Sequence, residues 1–483
     1  MFLKYDSSLL NSVAASFRIF NLVHNKPKII FAYGEHSEKI LLMVNRMEKF
    51  KKRSAVSNVN YVPDFNSMII IDRDKDYVST LLTPVVYSGL LIELFENKTG
   101  YITINPEYNK IMSEKLDFLK TPLKVHAKKT EVLSLRMGGN FDDIYSSNKY
   151  RHFVDVVSLL SIESKKLEQE KKKYSRSMNI VEMKNYVETN LPRVTTQKGI
   201  LYKHLRICEL IVQELSNNFE RHQNIEEAIL TNSNRRLIFS YIDELININA
   251  HKYSILRLMC LCHISIGLQN DEVTKFITTF CNTFGYKYMS VFQNLFTGKL
   301  FPNSLNMNKS KVASIVSLSY KKNSFQVEVN KLKLIPSNSY KDESIHSERI
   351  SSPIKKKKDA ICPSFVFNGN YIPLIAQIAN IILKAENFTD IYNKLGNIEK
   401  MTLSGQTLDD NLMSFKDVMD AIKRGNKSFD EIIPLKTMFI FVVGGITYAE
   451  IAACNLVETL TGSTIILASN SIISGSDIIS SFF

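Results

Sequence analysis

The sequence has 483 residues, 45% hydrophobic and 23% charged, which is ordinary for a folded globular chain and long enough for about three domains. Its 61 lysines and arginines outnumber 48 aspartates and glutamates, a formal charge of +13, so nucleic acid, an anionic membrane and an acidic protein stay open as partners, as do lysine-rich faces that are only solvated. The most apolar run, MFIFVVGGI, is about half of the ~20 residues a membrane-spanning helix needs, which leaves only a peripheral membrane role.

The first elements read as α/β. PKIIFAY and SMIIIDR are short apolar runs suited to strands buried on both faces of a parallel sheet. Between them Ile40, Met43, Val44 and Met47 have helical spacing, which completes a βαβ unit. The second strand runs into IIIDRDKDYVST, where Asp72, Asp74 and Asp76 alternate. A calcium loop starting at Asp72 would need a glycine where Tyr77 stands and a glutamate where Thr83 stands. A catalytic carboxylate pair is disfavoured by the interleaved Arg73 and Lys75 and by the lack of a nucleophile motif. The reading adopted is architectural. A carboxylate at a strand end accepts backbone N–H groups, pairs with an arginine and fixes the turn into LLTPVVYSGLLIELF.

The middle of the chain is helical. Phe153, Val156, Val157, Leu160, Leu167 and Tyr174 set one rhythm, and Leu201, Leu205, Cys208, Val212 and Leu215 a second. ETNLPRVTTQKG, punctuated by Pro192 and Gly199, lies between them, so the pattern predicts a long helical hairpin with a basic flank. Cys260, Cys262 and His263 fall in the apolar run ILRLMCLCHISIGL and read as buried groups rather than zinc ligands. The six cysteines are scattered without a CxxC pair, which fits the cytosol. Serine- and lysine-rich residues from about 308 read as a polar, partly flexible linker. TMFIFVVGG, YAEIAACNLVETLTG and STIILASN then give a second strand–helix–strand unit. Gly444 and Gly445 fit neither GxGxxG nor a P-loop; they let a helix start close to the sheet. The expected fold is an α/β domain with a parallel sheet, interrupted by a large α-helical insertion. Its parts are residues 1–100 and 361–483 for the α/β domain, 101–307 for the insertion with its hairpin at about 150–230, and 308–360 for the linker.

Five blocks in order resemble the Sec/Munc-like (SM) family, the syntaxin-binding proteins of membrane fusion. The first carries Asp72-Arg73, Asp76, Thr83-Pro84 and Tyr87-Ser88-Gly89-Leu90. The second carries Leu191-Pro192 and His204-Leu205, and the third is ILRLMCLCHISIGL. FVFNGNYIPL, with Tyr371 and Pro373, and FIFVVGGITYAEI, with Gly444 and Gly445, look like two late strands of the family. Within it the vacuolar-sorting class C branch, and its B-type members, fit best. The resemblance implies the family's arch. It also implies an N-terminal α/β domain ahead of SLLNSVAASFRIF, which in the family helps form the cleft for a syntaxin. This sequence reaches that stretch within its first residues, so the arch is expected without that domain.

The resemblance further implies a non-enzymatic, SNARE-binding subunit of an endosomal or lysosomal tethering complex, cytoplasmic and peripheral on late endosome or lysosome membranes. No catalytic residue, metal or cofactor comes with it, and no nucleic-acid partner. The hairpin is the SNARE support of the family, and its basic flank Lys171, Lys172, Lys173, Arg176 and Lys184 is the candidate SNARE-facing surface. An α-solenoid vacuolar-sorting subunit is the second expected partner, docking at approximately Ile255–Phe301. The alternatives are a nucleotide-dependent α/β enzyme at Gly444-Gly445 and a binder of anionic membrane surfaces through Lys355–Lys358.

Overall fold

A computed structural model describes residues 8–52, 63–98, 100–104, 133–137, 142–174, 191–215, 218–302, 324–336, 361–396, 398, 400–408, 411–424 and 436–483. The chain divides into two compact units, Met1–Leu82 with Glu226–Phe483, and Thr83–Ile225.

The first unit is built on a six-stranded sheet. Its strands are β1 (Ile29–Tyr33), β2 (Ser67–Asp72), β6 (Met401–Ser404), β7 (Met413–Ser414), β8 (Thr437–Val443) and β9 (Thr464–Ser469), in the order β7-β6-β1-β2-β8-β9. β1, β2, β8 and β9 are mutually parallel, as their apolar runs predict, with Ile30 opposite Met68 and Ile69 opposite Ile440. β6 and β7 add an antiparallel edge. That edge was not foreseen, because MTLS and MS are too short to carry a period-2 signal. Helices α1 (Ser8–His24) and α2 (Glu35–Lys52) cover one face. Val13, Ala14, Phe17, Ile40, Leu41 and Val44 pack there with Ile30, Met68, Ile70 and Phe439. Phe17 also meets Phe441 edge to face at 5.0 Å.

FVFNGNYIPL is not a strand. It forms a 3-10 turn over Pro363–Phe367 and then a loop into the helix Leu374–Leu383. Pro363 and Pro373 cannot donate to a ladder, and Asn368 and Gly369 both take positive φ, so the segment cannot run extended. Cys260 and Cys262 are buried in the helix Lys252–Ser265, and burial pushes both thiols up. Within the stretch read as a linker, residues 324–336 hold a short helix, Ser324–Leu332, with Val329, Leu332 and Leu334 buried.

In the second unit, α4 (Tyr87–Leu94), α5 (Asp143–Asn148), α6 (Phe153–Tyr174) and α7 (Leu191–Leu215) accompany a three-stranded antiparallel sheet of β3 (Glu96–Lys98), β4 (Tyr101–Ile104) and β5 (Leu133–Arg136). α6 and α7 pack against each other, with Phe153, Val156 and Leu160 buried. Two details differ from the sequence reading. α7 begins at Leu191 and runs through Pro192 and Gly199, because proline is tolerated in a first helical turn, where its missing N–H has no intrahelical partner. Its buried face is Leu201, His204, Ile207, Cys208 and Ile211, whereas Val212 is 56% exposed. The apolar rhythm passed over His204 because it is polar, yet it occupies a core position.

Candidate functional site

The signature residues meet at the carboxyl ends of β2 and β8. Asp72 closes β2 and turns its carboxylate onto the start of α2. The backbone N–H groups of His36 and Ser37 donate to it at 2.7 and 2.9 Å, and the Ser37 hydroxyl donates as well. A helix start has unsatisfied N–H groups and a partial positive charge, so an internal carboxylate fits there. Gly34 makes the approach possible: its φ is +125°, and any Cβ on it would overlap the Asp72 side chain.

Arg73 is buried beside Asp72. Its Nη1 donates to Glu450 at 2.8 Å and to the Gly445 carbonyl at 3.3 Å, and its Nη2 donates to the Asp76 carbonyl. Burial alone would lower the guanidinium pKa; the Glu450 and Asp76 carboxylates outweigh it and hold the group above its ordinary value. Asp76 accepts from Ser79 N at 2.9 Å, Ser79 Oγ at 2.6 Å, Leu374 N at 3.0 Å and the Tyr371 hydroxyl at 3.3 Å. Pro373 precedes Leu374 as the N-cap of its helix. The close carboxylate of Arg73 is thus Glu450, while Asp76 Oδ2 lies 4.0 Å away.

The Gly444-Gly445 turn is filled in the same way. Gly444 N donates to Asn470 Oδ1 at 3.1 Å, and the Gly445 carbonyl accepts from Arg73. Thr447 and Glu450 form a reciprocal capping box at the start of the helix Tyr448–Thr461. Nucleotide-binding α/β folds place phosphate at such strand–helix turns. Here the α2 turn holds Asp72, and the turn after β8 holds Arg73 and Asn470. Among the described residues no group of three His, Cys, Asp or Glu side chains is placed to hold a metal ion.

The remaining signature residues belong to the second unit. Gly89 packs so closely on Pro84 that an added Cβ would lie 2.8 Å from the proline Cβ. Tyr87 and His204 share a hydrogen bond of 2.8 Å at Nδ1, and His204 Nε2 meets Asp142 at 3.0 Å. Asp142 also accepts from Tyr145 N at 2.8 Å as the N-cap of α5. Burial pushes the Asp142 carboxyl up, but the His204 and Tyr145 hydrogen bonds prevail and hold it below its usual value. With Asp142 ionised, His204 Nε2–H donates to it and Nδ1 accepts from the Tyr87 hydroxyl. This chain pins α7 to α4 and α5 at the hairpin base. A group whose pKa is depressed by folding stabilises above its ordinary pKa and loses that contribution as pH falls through the folded value. We therefore expect Asp142→Ala to loosen the hairpin by about 1–2 kcal/mol at neutral pH and to have little further effect in strong acid, measured by hydrogen exchange across α7.

Lys171, Lys172 and Lys173 lie in the last turn of α6, whose side chains there are outside the described residues, as are Arg176 and Lys184 altogether. Several residues of these networks were not singled out from the sequence, Glu450 and Asp142 among them. Glu450 was legible as the end of a Thr-x-x-Glu capping box. Asp142 carried no signal for its pairing with His204, 62 residues away.

Vacuolar protein sorting-associated protein 33B of Mus musculus is 24% identical over 474 residues, covering 94% of this chain and 68% of that protein. The SM protein Vps45, solved in complex with the Qa SNARE Tlg2, matches 99% of this chain and 70% of its own at a TM-score of 0.62 and 13% identity. Unc18 in its complex with syntaxin 1 from Monosiga brevicollis matches 98% of this chain and 71% of its own, with a TM-score of 0.58 and 11% identity. The fold is thus that of SM proteins. Residues 3–481 match the Sec1 family, and the chain belongs to it.

Proposed function

We propose that this chain is a non-enzymatic, SNARE-binding factor of vesicle-mediated transport, a subunit of an endosomal or lysosomal tethering complex that promotes docking and membrane fusion. Sec1 family membership across residues 3–481 carries this reading. It is supported by structural neighbours solved in complex with a Qa SNARE or syntaxin 1 and by a relative named for vacuolar protein sorting. The engagement of Asp72, Asp76 and Glu450 with backbone N–H groups and Arg73 favours architecture over catalysis at the strand ends. Among the described residues no helix is long and apolar enough to cross a membrane. The location proposed with this function is peripheral, on late endosome or lysosome membranes. The lysines at 355–358, the candidate lipid contact, lie outside the described residues.

The basic flank Lys171, Lys172, Lys173, Arg176 and Lys184 is proposed to steer an acidic SNARE face onto the hairpin. Reversing Lys171, Lys172 and Lys173 to glutamate is expected to weaken SNARE association about tenfold at low salt and to flatten its salt dependence. Unchanged low-salt binding would remove these residues from the contact. The tethering part is tested by co-expression with the cognate α-solenoid subunit, where size-exclusion chromatography with light scattering should show a stoichiometric complex. A folded monomer that ignores the subunit would overturn it.

A further inference from the structure

The helix Ser324–Leu332 lies over the carboxyl end of the sheet and is held there partly by a contact of poor chemistry. The sound contacts are apolar and peptide-like. Val329, Leu332 and Leu334 are buried, and Phe325 stacks on Tyr371 with 6.4 Å between ring centroids. Gln326 Nε2 donates to the Ser265 carbonyl at 3.2 Å, Gln377 Nε2 to the Leu332 carbonyl at 2.7 Å, and Ile372 N to the Leu334 carbonyl at 2.8 Å. The poor contact is Glu328. This half-buried carboxylate accepts from the Tyr33 hydroxyl at 3.2 Å, and among the described residues no cation forms a close ion pair with it. Lys75 places its Nζ over the face of the Tyr33 ring, 5.4 Å from its centroid.

We infer that this helix is a proton-sensitive clasp on the carboxyl end of β1 and β2, docked most firmly when Glu328 is protonated and loosened when it is ionised. A neutral carboxyl keeps its hydrogen bond to Tyr33 and escapes the cost of a desolvated charge, whereas the anion must bear that cost with one neutral donor. The surroundings agree in sign. Burial raises the Glu328 pKa most, and Asp76 adds to it; the Tyr33 hydrogen bond, Lys75 and Lys331 oppose but do not cancel the shift. Asp74, half-buried in the turn after β2, is raised as well, chiefly by burial, and its Oδ1 has no hydrogen-bond partner among the described residues. A carboxylate whose pKa is raised by folding destabilises the docked state while ionised, and that penalty fades as pH falls through the raised value toward the ordinary carboxylate range. Mild acid therefore tightens the clasp. This inference does not rest on the trafficking role.

Hydrogen exchange on the full chain between about pH 7.5 and pH 5, corrected for the intrinsic exchange rate, tests it. Protection across residues 325–334 should rise at least about threefold on acidification. Glu328→Gln, which keeps the shape and removes the charge, should hold the high protection at both pH values. Tyr33→Phe, which strips the anion of its donor, should lower protection most near neutrality. A flat profile in the unmodified chain would overturn the clasp. So would a slope that survives in Glu328→Gln, since it would belong to another group such as Asp74.

Discussion

Replacing Glu450 by alanine is expected to destabilise the first unit by about 3–5 kcal/mol, the usual result of leaving a buried charge without its partner. Glu450 Oε2 is 2.8 Å from Arg73 Nη1 and also accepts from Thr447 N at 2.9 Å, so the substitution strands a guanidinium and opens a helix cap together. Both side chains are almost wholly removed from solvent, so water cannot replace what is lost. In a unit of this size the unfolding midpoint should fall by roughly 5 °C. The double variant Arg73→Met with Glu450→Met removes both charges and should recover most of that loss, because apolar replacement of a whole buried pair is often neutral. A single-variant loss below about 1 kcal/mol would mean that the Gly445 and Asp76 carbonyls suffice for Arg73.

Asp72→Ala is expected to cost about 3 kcal/mol, with hydrogen exchange accelerated first at His36 and Ser37. The carboxylate satisfies both N–H groups and the Ser37 hydroxyl, and an alanine leaves those donors buried without an acceptor. Asp72→Asn retains one oxygen and should lose about half as much. The same cavity supplies a second readout. Removing the carboxylate uncovers a helix start of the kind that binds anions, so inorganic phosphate should protect Asp72→Ala and leave the parent chain unmoved. Equal phosphate effects on both would show that Asp72 is not what fills that position.

The sequence made the strands buried on both faces plain, because PKIIFAY, SMIIIDR and TMFIFVVGG are unbroken apolar runs. Their parallel pairing followed from the helices between them. The role of Asp72 and Asp76 was also legible in outline, since a carboxylate ending a buried strand has few satisfactory environments. Their partners were not. Ser37, Leu374 and Tyr371 reach these aspartates from segments whose own patterns say only helix start or turn. The family resemblance implied a strand at FVFNGNYIPL, but Pro373 and the positive-φ Asn368 and Gly369 break it into a turn and a loop. His204 shows the opposite error, a polar residue on a buried helical stripe, accommodated only because Tyr87 and Asp142 meet its two nitrogens.

The adjacency of β2 and β8 also bears on how the chain acquires its structure. Arg73 and Gly445, bonded in the finished network, are 372 residues apart. At the ordinary pace of synthesis, ~5–20 residues per second, β2 emerges from the ribosome roughly 20–70 s before its central neighbour exists. Throughout that interval SMIIID has β1 on one side and an open, largely apolar edge on the other. Such an edge is a template for wrong pairing, and non-local strand pairing is slow even once both strands are present. The nascent chain should therefore depend on chaperone protection until residues 437–443 have been made, and release truncated just before them should aggregate.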